Sequence, residues 1–359
     1  MATFKFNNAG AWKFINRYAS YLTNQDVYVP SAQYIAYGST VSPYIQVYAF
    51  NAGSGYGSKY SNPSTGLSFY GQDLQFATDK SFLVSGDYSS PRVHAWKWSS
   101  SGFGTKYSNP ATLPTGIGYG VSISESNNAV AVAHDTTPYI SAYPFDYTNG
   151  FGTKYSDPAS LPTGTGKTIK LTNSYVFIGH ETTPFVAAYP FNSSSGFGTK
   201  YSNPSTIASY STAFIEYNYN NNAVIFGGIG YTYAYPWSAS GFGTKYAGPA
   251  QSLYSYGGQF NRKGDLLFLA DDNYTAKVLA YPWSSGFGTK YADPATFPVA
   301  GPVYYNAAAM TEIGDAVAML TFTSPYVQGY PFSKTTGFGT KYANPSTAFP
   351  APNYGIAFG

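Results

Sequence analysis

The sequence repeats one short phrase seven times, and this repetition constrains the fold more than any other feature. The phrase is Gly-aromatic-Gly-Thr/Ser-Lys-Tyr, and successive copies lie 47, 48, 46, 45, 45 and 51 residues apart. Its lysines mark the seven repeats: Lys59, Lys106, Lys154, Lys200, Lys245, Lys290 and Lys341. A period in the forties is typical of β-propellers, in which each repeat folds as one four-stranded blade.

The third repeat illustrates the predicted blade. Short strands are expected over 120–124, 129–134, 139–145 and 151–156, with turn-forming residues between them. A proline lies within the third strand of five repeats, which predicts an irregular position near a sheet edge. Helical periodicity is absent over any useful length, so the sequence predicts an all-β, seven-bladed β-propeller with four antiparallel strands per blade. A β-solenoid is the alternative fold, although its coils usually repeat at a shorter period.

Aromatic residues supply most of the material for the hydrophobic core. They make up 19% of the 359 residues, whereas charged residues make up only 10%. Each third strand carries two aromatic residues separated by one position, which places both rings on one face of the strand. We expect these pairs to pack between blades: Tyr48/Phe50, Trp96/Trp98, Tyr143/Phe145, Tyr189/Phe191, Tyr235/Trp237, Tyr281/Trp283 and Tyr330/Phe332.

The repeats also predict the domain boundaries. Residues 1–25 form an N-terminal arm, residues 26–345 form the propeller, and residues 346–359 form a closing strand. Blade 1 is predicted to have four strands of its own, over 26–29, 33–38, 43–50 and 56–62. The C-terminal segment 353–359 is expected to pair near blade 1 and to help close the ring.

Charge and composition exclude several classes of protein. The net charge is +3, and Lys5, Lys13 and Arg17 account for the excess, so the repeats are neutral overall. A nucleic-acid partner is not expected, because the sequence offers no concentrated basic face. Membrane insertion is not expected either, because no stretch approaches the ~18 apolar residues of a spanning helix. The chain has no cysteine, which excludes disulfides and thiolate metal sites.

Two histidines are each followed by an acid. His134 and His180 lie 46 residues apart, at equivalent positions of adjacent repeats, and precede Asp135 and Glu181. One interpretation is a metal or catalytic site on the face that carries the loops between second and third strands. The other is a repeated turn in which the acid caps the Thr-Thr-Pro backbone. Repetition without divergence favours the turn, and we predict no catalytic residue, no metal and no cofactor.

The repeat lysines also allow two interpretations. They could form a belt of positive charge around the rim. Alternatively, each stem covers aromatic surface while the amine stays hydrated or lies over a tyrosine ring. The second interpretation is favoured, because a working charge belt is rarely so uniform.

The repeated text resembles the WD40-like propeller repeats of tailed-bacteriophage virion proteins. The resemblance rests on residues 101–116 (SGFGTKYSNPATLPTG), followed by a strand pair and then residues 138–145 (PYISAYPF), and it covers about residues 26–350. The Gly-His and Trp-Asp pairs of true WD repeats are absent. The resemblance implies a structural or accessory protein of a virion, such as a tail-fibre, neck or capsid-attached protein, with other virion proteins as partners. No enzymatic activity is expected.

The basic, aromatic arm is the candidate anchor, because a ring-bearing extended segment can add a strand to a sheet edge and fill pockets. Its candidate residues are Phe4, Phe6, Trp12, Lys13, Phe14 and Arg17. A lid over one face of the propeller is the alternative role of the arm.

The alternative function is a carbohydrate-binding adhesin that recognises a host cell-surface glycan. Many Tyr, Asn, Ser and Gly residues with few charges suit sugar binding. Seven repeats would supply up to seven weak sites. An enzyme ranks third.

Overall fold

The computed structural model describes residues 34–249, 253–302, 305–347 and 354–359, and these residues form seven antiparallel sheets without a helix. The strands of blades 1 to 3 are β1 (Tyr34–Gly38), β2 (Ile45–Asn51), β3 (Gly55–Lys59), β4 (Gly71–Phe76), β5 (Phe82–Asp87), β6 (Val93–Ser99), β7 (Gly102–Lys106), β8 (Gly118–Ile123), β9 (Ala129–His134), β10 (Ile140–Asp146) and β11 (Gly150–Phe151). Those of blades 4 and 5 are β12 (Gly166–Leu171), β13 (Tyr175–His180), β14 (Val186–Asn192), β15 (Gly196–Phe197), β16 (Thr212–Asn218), β17 (Ala223–Gly228), β18 (Tyr231–Ser238) and β19 (Gly241–Phe242). Those of blades 6 and 7, with the C-terminal strand, are β20 (Ser255–Phe260), β21 (Leu266–Asp271), β22 (Val278–Pro282), β23 (Ala308–Met310), β24 (Ala316–Leu320), β25 (Val327–Ser333), β26 (Gly337–Phe338) and β27 (Ile356–Phe358).

The sheets are arranged as a seven-bladed β-propeller, as the repeat predicts. The first strands of neighbouring blades contact one another in sequence around the ring, so they surround a central axis. Blade 6 has three strands and an isolated bridge between Trp283 and Phe287 at the position of the fourth. We call the upper end the one that carries the loops between second and third strands and the connections between blades. The lower end carries the turns between first and second and between third and fourth strands.

The ring is closed by the C-terminal strand. β27 pairs with β1, with Ile35 opposite Phe358 and Tyr37 opposite Ile356, which confirms that the C-terminus pairs at blade 1. β1 has β27 on one side and β2 on the other. The interpretation of residues 26–29 as the first strand of blade 1 is therefore wrong, because that position is occupied. Residues 26–29 and the arm, including its candidate anchor residues, lie outside the described residues.

Proline in the third strand shortens the fourth. The fourth strand has five residues in blades 1 and 2, where the third strand carries Ala49 and Lys97. In blade 3, Pro144 takes this position and the fourth strand has two residues. A proline nitrogen cannot donate to the ladder. The Pro144 carbonyl still accepts a hydrogen bond from the Gly152 amide at 2.8 Å, so the chain stays beside the blade.

The aromatic pairs of the third strands are core residues. Their exposed fractions are 0–6%, which confirms the predicted packing between blades. The first ring of most pairs also makes a polar contact: Tyr143 donates its hydroxyl proton to the Thr112 carbonyl at 2.9 Å. Equivalent bonds join Trp96 to Thr65 and Tyr330 to Thr296, and they fasten each upper connection to the following blade.

The repeated phrase holds neighbouring blades together at the lower end. Gly150 has a φ of +82°, and a Cβ there would lie 2.8 Å from the ring of Tyr107 in the preceding blade. The Tyr107 hydroxyl donates to the Tyr147 carbonyl at 2.7 Å. Gly55 and Tyr342 repeat this contact across the ring closure, where a Cβ would also lie at 2.8 Å. The glycine thus admits the ring, and the tyrosine bridges the blades.

Candidate functional site

The two sequence pairs of a histidine and an acid lie at the upper end, but both histidines are buried there. His134 and His180 end β9 and β13 with no exposed surface. The His134 Nε2 atom lies 3.0 Å from the Ser141 hydroxyl. Burial lowers the pKa of both histidines to about 4, with neighbouring backbone groups opposing the shift. Both rings are therefore neutral at pH 7 and out of reach of a solvent-borne substrate.

The two acids that follow the histidines have structural partners. The Asp135 carboxylate accepts a hydrogen bond from the Ile117 amide at 2.9 Å and another from the Thr136 hydroxyl at 3.1 Å. Glu181 forms an ion pair with Lys167 at 3.0 Å. Asp135 thus joins its loop to the connection before β8, and Glu181 is paired in charge with Lys167. Within the described ranges, no three His, Asp or Glu side chains are grouped closely enough to hold a metal ion.

A buried His-Asp pair in blade 2 is a contact that the sequence did not predict. His94 Nε2 lies 2.9 Å from Asp87 Oδ2, and the imidazole stacks on Trp96 with an interplanar angle of 10°. Burial lowers the pKa of His94, while its hydrogen bond to the Asp87 carboxylate opposes this shift. The other Asp87 oxygen accepts the Ser89 amide at 2.8 Å. The pair fixes the loop between β5 and β6. The sequence feature that could have revealed it is that Asp87 occupies in blade 2 the position that His134 occupies in blade 3.

The repeat lysines are half-buried: two of them end five-residue fourth strands, and the other five follow a shorter fourth strand or, in blade 6, the isolated bridge. Most bond to the Asn or Asp three residues later: the Lys106 amine donates to Asn109 at 2.7 Å, and Lys200 donates to Asn203 at 2.9 Å. Lys59, Lys154 and Lys290 make the same contact with Asn62, Asp157 and Asp293. The Lys245 amine lies 4.4 Å from the centre of the Tyr233 ring, and Lys341 donates to Gln328 at 3.2 Å. The structure therefore gives each lysine a local partner.

Exposed apolar side chains are concentrated at the upper end. Among the described residues, thirteen large hydrophobic side chains are exposed, and ten of them lie in upper loops and connections. The ten are Val41, Phe69, Tyr88, Ile207, Tyr210, Ile229, Tyr254, Phe297, Val299 and Phe322. The lower end has Tyr147, Tyr219 and Ile313. The upper end is therefore the candidate interaction surface among the described residues.

Four of the upper rings contact one another at blades 1 and 2. Phe69 lies at the centre, with its ring centroid 4.2 Å from Tyr70, 5.4 Å from Tyr88 and 6.2 Å from Tyr44. Phe69 and Tyr88 are 37% and 41% exposed. Core aromatic residues of this propeller are almost fully buried, so this cluster is a distinct surface feature.

A second group lies where the central axis meets the upper end. The Lys167 amine is 3.8 Å from the centre of the Tyr119 ring and 5.5 Å from that of Tyr305. Burial and the nearby Asp135, Tyr88, Glu181 and Tyr305 raise the pKa of Tyr119 to about 12. Lys167 thus lies among rings, and its charge is balanced by Glu181.

Blade 7 reaches across this central region. Pro302 bridges to Thr321, and the Ala307 carbonyl accepts a hydrogen bond from the Leu320 amide at 2.9 Å. Asn306 accepts a hydrogen bond from the Thr168 hydroxyl of blade 4 at 3.0 Å, and its amide donates to the Ala213 carbonyl of blade 5 at 3.3 Å. This connection contains the extra residues of the 51-residue step, the longest between repeats. The unusual length of that step is the sequence feature that could have identified the connection.

Solved structures share this fold. A functionally unknown protein from Desulfotomaculum acetoxidans matches with a TM-score of 0.66 at 12% identity, over 91% of this chain and 99% of that protein. Proteins from Bacteroides uniformis and Bacteroides fragilis, each described as a candidate 6-phosphogluconolactonase, match with TM-scores of 0.65 and 0.64 at 13% identity. These matches cover 92% and 93% of this chain and 99% and 100% of those proteins.

At such identities the comparison shows the fold alone. No protein-family model matches the chain, and no curated protein matches its sequence. The described part of the chain has no helix with the length and apolarity to cross a bilayer.

Proposed function

We propose that this chain is a non-enzymatic interaction protein of a tailed-phage virion, in which the propeller is a rigid disc that binds its partner through the upper end. The observation that carries the proposal is the location of ten of the thirteen exposed large hydrophobic side chains in upper loops. The virion setting rests on the resemblance of the repeated text, and other virion proteins are the expected partners.

The side-chain chemistry supports a binding role over catalysis. All three histidines are buried and have lowered pKa values. Asp135 and Glu181 are engaged in a turn and an ion pair. The described upper surface therefore offers rings and neutral polar groups rather than an acid-base pair.

A quantitative mass-spectrometric inventory of purified particles, with and without a high-salt wash, tests the virion setting. We expect the chain at a fixed ratio to the capsid protein after washing. Deletion of residues 2–25 should release it from particles while the propeller stays folded, as circular dichroism would show. Absence of the chain from particles would refute the virion setting.

Carbohydrate binding is the second candidate function, and the half-buried or exposed tyrosines near the upper opening favour it. Tyr70, Tyr119, Tyr254 and Tyr354 lie at or just before first strands, and tyrosine combines an apolar ring with a hydroxyl. Glycan-dependent cell binding that survives deletion of residues 2–25 would support this candidate. Measurable hydrolysis abolished by His134→Ala or His180→Ala would instead support an enzyme.

A further inference from the structure

We propose that a compact patch at the upper end of blades 1 and 2 binds a sugar that carries a carboxylate, as a uronic acid at the end of a glycan does. This blade 2 patch consists of Tyr44, Phe69, Tyr70, Tyr88 and Arg92. The inference deepens the second candidate function, carbohydrate binding, by naming the charge of the ligand and its place. It rests on the upper end being the binding surface and does not require the virion setting.

Three chain segments meet at the blade 2 patch and hold its rings in place. The Gly71 amide donates to the Ser39 carbonyl at 3.3 Å, and the Tyr88 amide donates to the Tyr70 carbonyl at 3.1 Å. The ring of Tyr70 lies 4.2 Å from that of Phe69 and 5.8 Å from that of Tyr88, measured between centroids. A small ligand would therefore meet a preformed surface, and its binding would order little of the protein.

Blade 6 contains the same loop with a neutralised cation. Arg92 of blade 2 and Lys277 of blade 6 take equivalent places, because the carbonyl of each accepts the amide of the last residue of the second strand at 2.9 Å. Lys277 donates to the Asp272 carbonyl and forms an ion pair with its carboxylate at 3.3 Å. Arg92 donates in the same way to the Tyr88 carbonyl, but tyrosine stands where blade 6 has the aspartate. Blade 2 therefore keeps the cation without the acid that neutralises its counterpart.

The acids closest to this loop in the sequence have other partners. Asp87 begins the loop, but it is fully buried, and its carboxylate accepts the Ser89 amide and contacts His94. Asp135 of the next loop is bonded to the connection before β8. Among the described residues, no carboxylate forms an ion pair with Arg92. Because a guanidinium presents a planar fork of N–H donors that matches a carboxylate, the charge of the patch favours a ligand with that group.

The exposed rings replace a polar contact that blade 3 retains. There the residue after the second strand is Asp135, whose carboxylate accepts the Ile117 amide at 2.9 Å. Gly116 lies beneath it, and a Cβ at this glycine would be 2.0 Å from the carboxylate. In blade 2, Tyr88 and Phe69 fill these two positions, with exposed rings whose centroids are 5.4 Å apart. The exchange gives up a hydrogen bond and exposes apolar surface, which points to a ligand rather than to stability.

The size and composition of the patch favour a single sugar unit over a protein partner. A stable protein interface takes about 800 Å² on each partner, which five partly buried side chains do not supply. Three of the four rings are phenols, and a phenol offers an apolar face to a sugar ring and a hydroxyl to its edge. Arg92 is the only arginine of the described upper end. The sequence repeat predicts up to seven weak sites, whereas this asymmetry predicts one site for an acidic sugar.

Ligand-detected NMR titration with the methyl glycosides of glucuronic, galacturonic and mannuronic acid, each beside its neutral counterpart, tests the patch. Each uronide differs from its counterpart only by a carboxylate in place of a hydroxymethyl group. We expect at least one uronide to bind about tenfold more tightly than its neutral counterpart, as a charge-assisted hydrogen bond commonly gives. High salt should reduce this preference, because the patch is open to solvent.

Variants taken from the other repeats locate the site. Arg92→Gln should weaken uronide binding about tenfold and leave the affinity for the neutral glycoside unchanged. Tyr88→Asp should abolish uronide binding, because it removes a ring and supplies the acid that blades 3 and 6 carry at this place. Lys277→Gln is the matched control, since it removes the equivalent but paired cation, and it should leave uronide binding unchanged. If Arg92→Gln unfolds, Arg92→Tyr replaces it, because blades 1, 3 and 7 have tyrosine there.

Three results would overturn the inference: no uronide binding, equal affinity for uronides and neutral glycosides, or full uronide binding by the Arg92→Gln protein. A tetrapeptide with one aspartate between apolar residues is titrated alongside. Binding of this peptide without any uronide would make the patch a protein contact and refute the acidic sugar. Binding of neutral glycosides alone would also refute it, while carbohydrate binding itself would survive. The particle inventory is a separate readout, because it tests only the virion setting.

Discussion

The upper and lower ends of the propeller are made from the same repeats, yet their side chains serve different purposes. At the lower end, neighbouring turns bond to one another: the Thr78 amide donates to Asn127 at 2.9 Å, and the Ser126 amide donates to Asn173 at 3.1 Å. At the upper end, rings such as Phe69 and Tyr88 remain exposed. The lower turns are therefore linked from blade to blade by hydrogen bonds, whereas the upper end leaves aromatic rings exposed.

Buried titratable groups also distinguish the two ends. His134, His180 and the His94-Asp87 pair lie below the upper loops. At the lower end, charged side chains such as Lys80 and Glu312 form an ion pair and are partly exposed. Burial makes protonation of the three histidines costly. The comparison teaches that acid should weaken the propeller mainly through its upper end.

The largest predicted effect is on the pH dependence of stability. His134 and His180 have folded pKa values of about 4, below the ordinary 6.5, so the unfolded state binds more protons between these values. Stability contributed by the neutral rings is complete above pH 6.5 and is lost as the pH falls toward 4. Each histidine should account for about 3 kcal/mol over this window.

Urea unfolding of the wild type and of the double variant His134→Thr/His180→Thr, at intervals from pH 7 to pH 4.5, measures this effect. Threonine is the residue at the equivalent position 321 of blade 7, where it is buried. The variant should lose less stability than the wild type on acidification. Asp73, whose pKa burial raises to about 7 against two backbone hydrogen bonds, acts with the opposite sign in both proteins and cancels in the difference. Parallel pH profiles would contradict the prediction.

The second prediction concerns a glycine of the lower end. Gly150→Ala places a side chain at φ +82° and a Cβ 2.8 Å from the Tyr107 ring, so the free energy of unfolding should fall by about 2 kcal/mol. Gly248→Ala, in an upper connection with nothing within 4 Å of the new Cβ, is the control and should change stability little. Equal effects of the two substitutions in chemical denaturation would show that the repeated phrase does not hold the blades together.

Much of the scaffold was predictable because it is repeated. The glycine-tyrosine contact recurs between blades, so its residues recur in the sequence, and the aromatic pairs identify every third strand. The first strand of blade 1 was mispredicted because residues 26–29 look extended locally. The first-strand position of blade 1 is instead filled by residues 356–358, which lie more than 300 residues away from β1 in the sequence.

The upper surface was much less predictable. Phe69, Tyr88 and Tyr305 lie in loops and connections that differ among repeats, so no period identifies them. Their proximity depends on how successive blades are placed around the axis. The partners of His134 and Asp135 likewise depend on the fold: Asp135 accepts the amide of Ile117 from the preceding connection, whereas the sequence predicted that it caps the Thr-Thr-Pro backbone.

The third prediction tests how the upper connections are fastened. Tyr143→Phe removes the hydroxyl that donates to the Thr112 carbonyl at 2.9 Å, and it leaves a fully buried ring in place. Stability should fall by about 1 kcal/mol, the usual net contribution of such a hydrogen bond. Tyr147→Phe, at an exposed lower position, should cause no change. Thermal unfolding of both variants measures the difference, and an unchanged Tyr143→Phe protein would show that the connection is held by other contacts.

The smallest predicted effect lies at the lower end of the ring closure. Blade 1 has no turn between its first two strands, because β27 and β1 are separate ends of the propeller chain. Lys80 of blade 2 spans this gap to Glu312 of blade 7 at 3.0 Å, and Arg262 of blade 6 joins the same carboxylate at 3.2 Å. The side chains are partly exposed, so water and salt weaken their attraction.

A double-mutant cycle with Lys80→Met and Glu312→Gln should therefore give a coupling energy of about 0.5 kcal/mol that shrinks in 1 M salt. The same variants should leave the pH profile and any glycan affinity unchanged, because both depend on the upper end. A coupling above about 2 kcal/mol would mean that ion pairing, rather than the β27-β1 hydrogen bonds, secures the closure. At the lower end, the blades would then be held by charge at the ring closure, where the repeat is interrupted, and by ring packing and hydrogen bonds everywhere else.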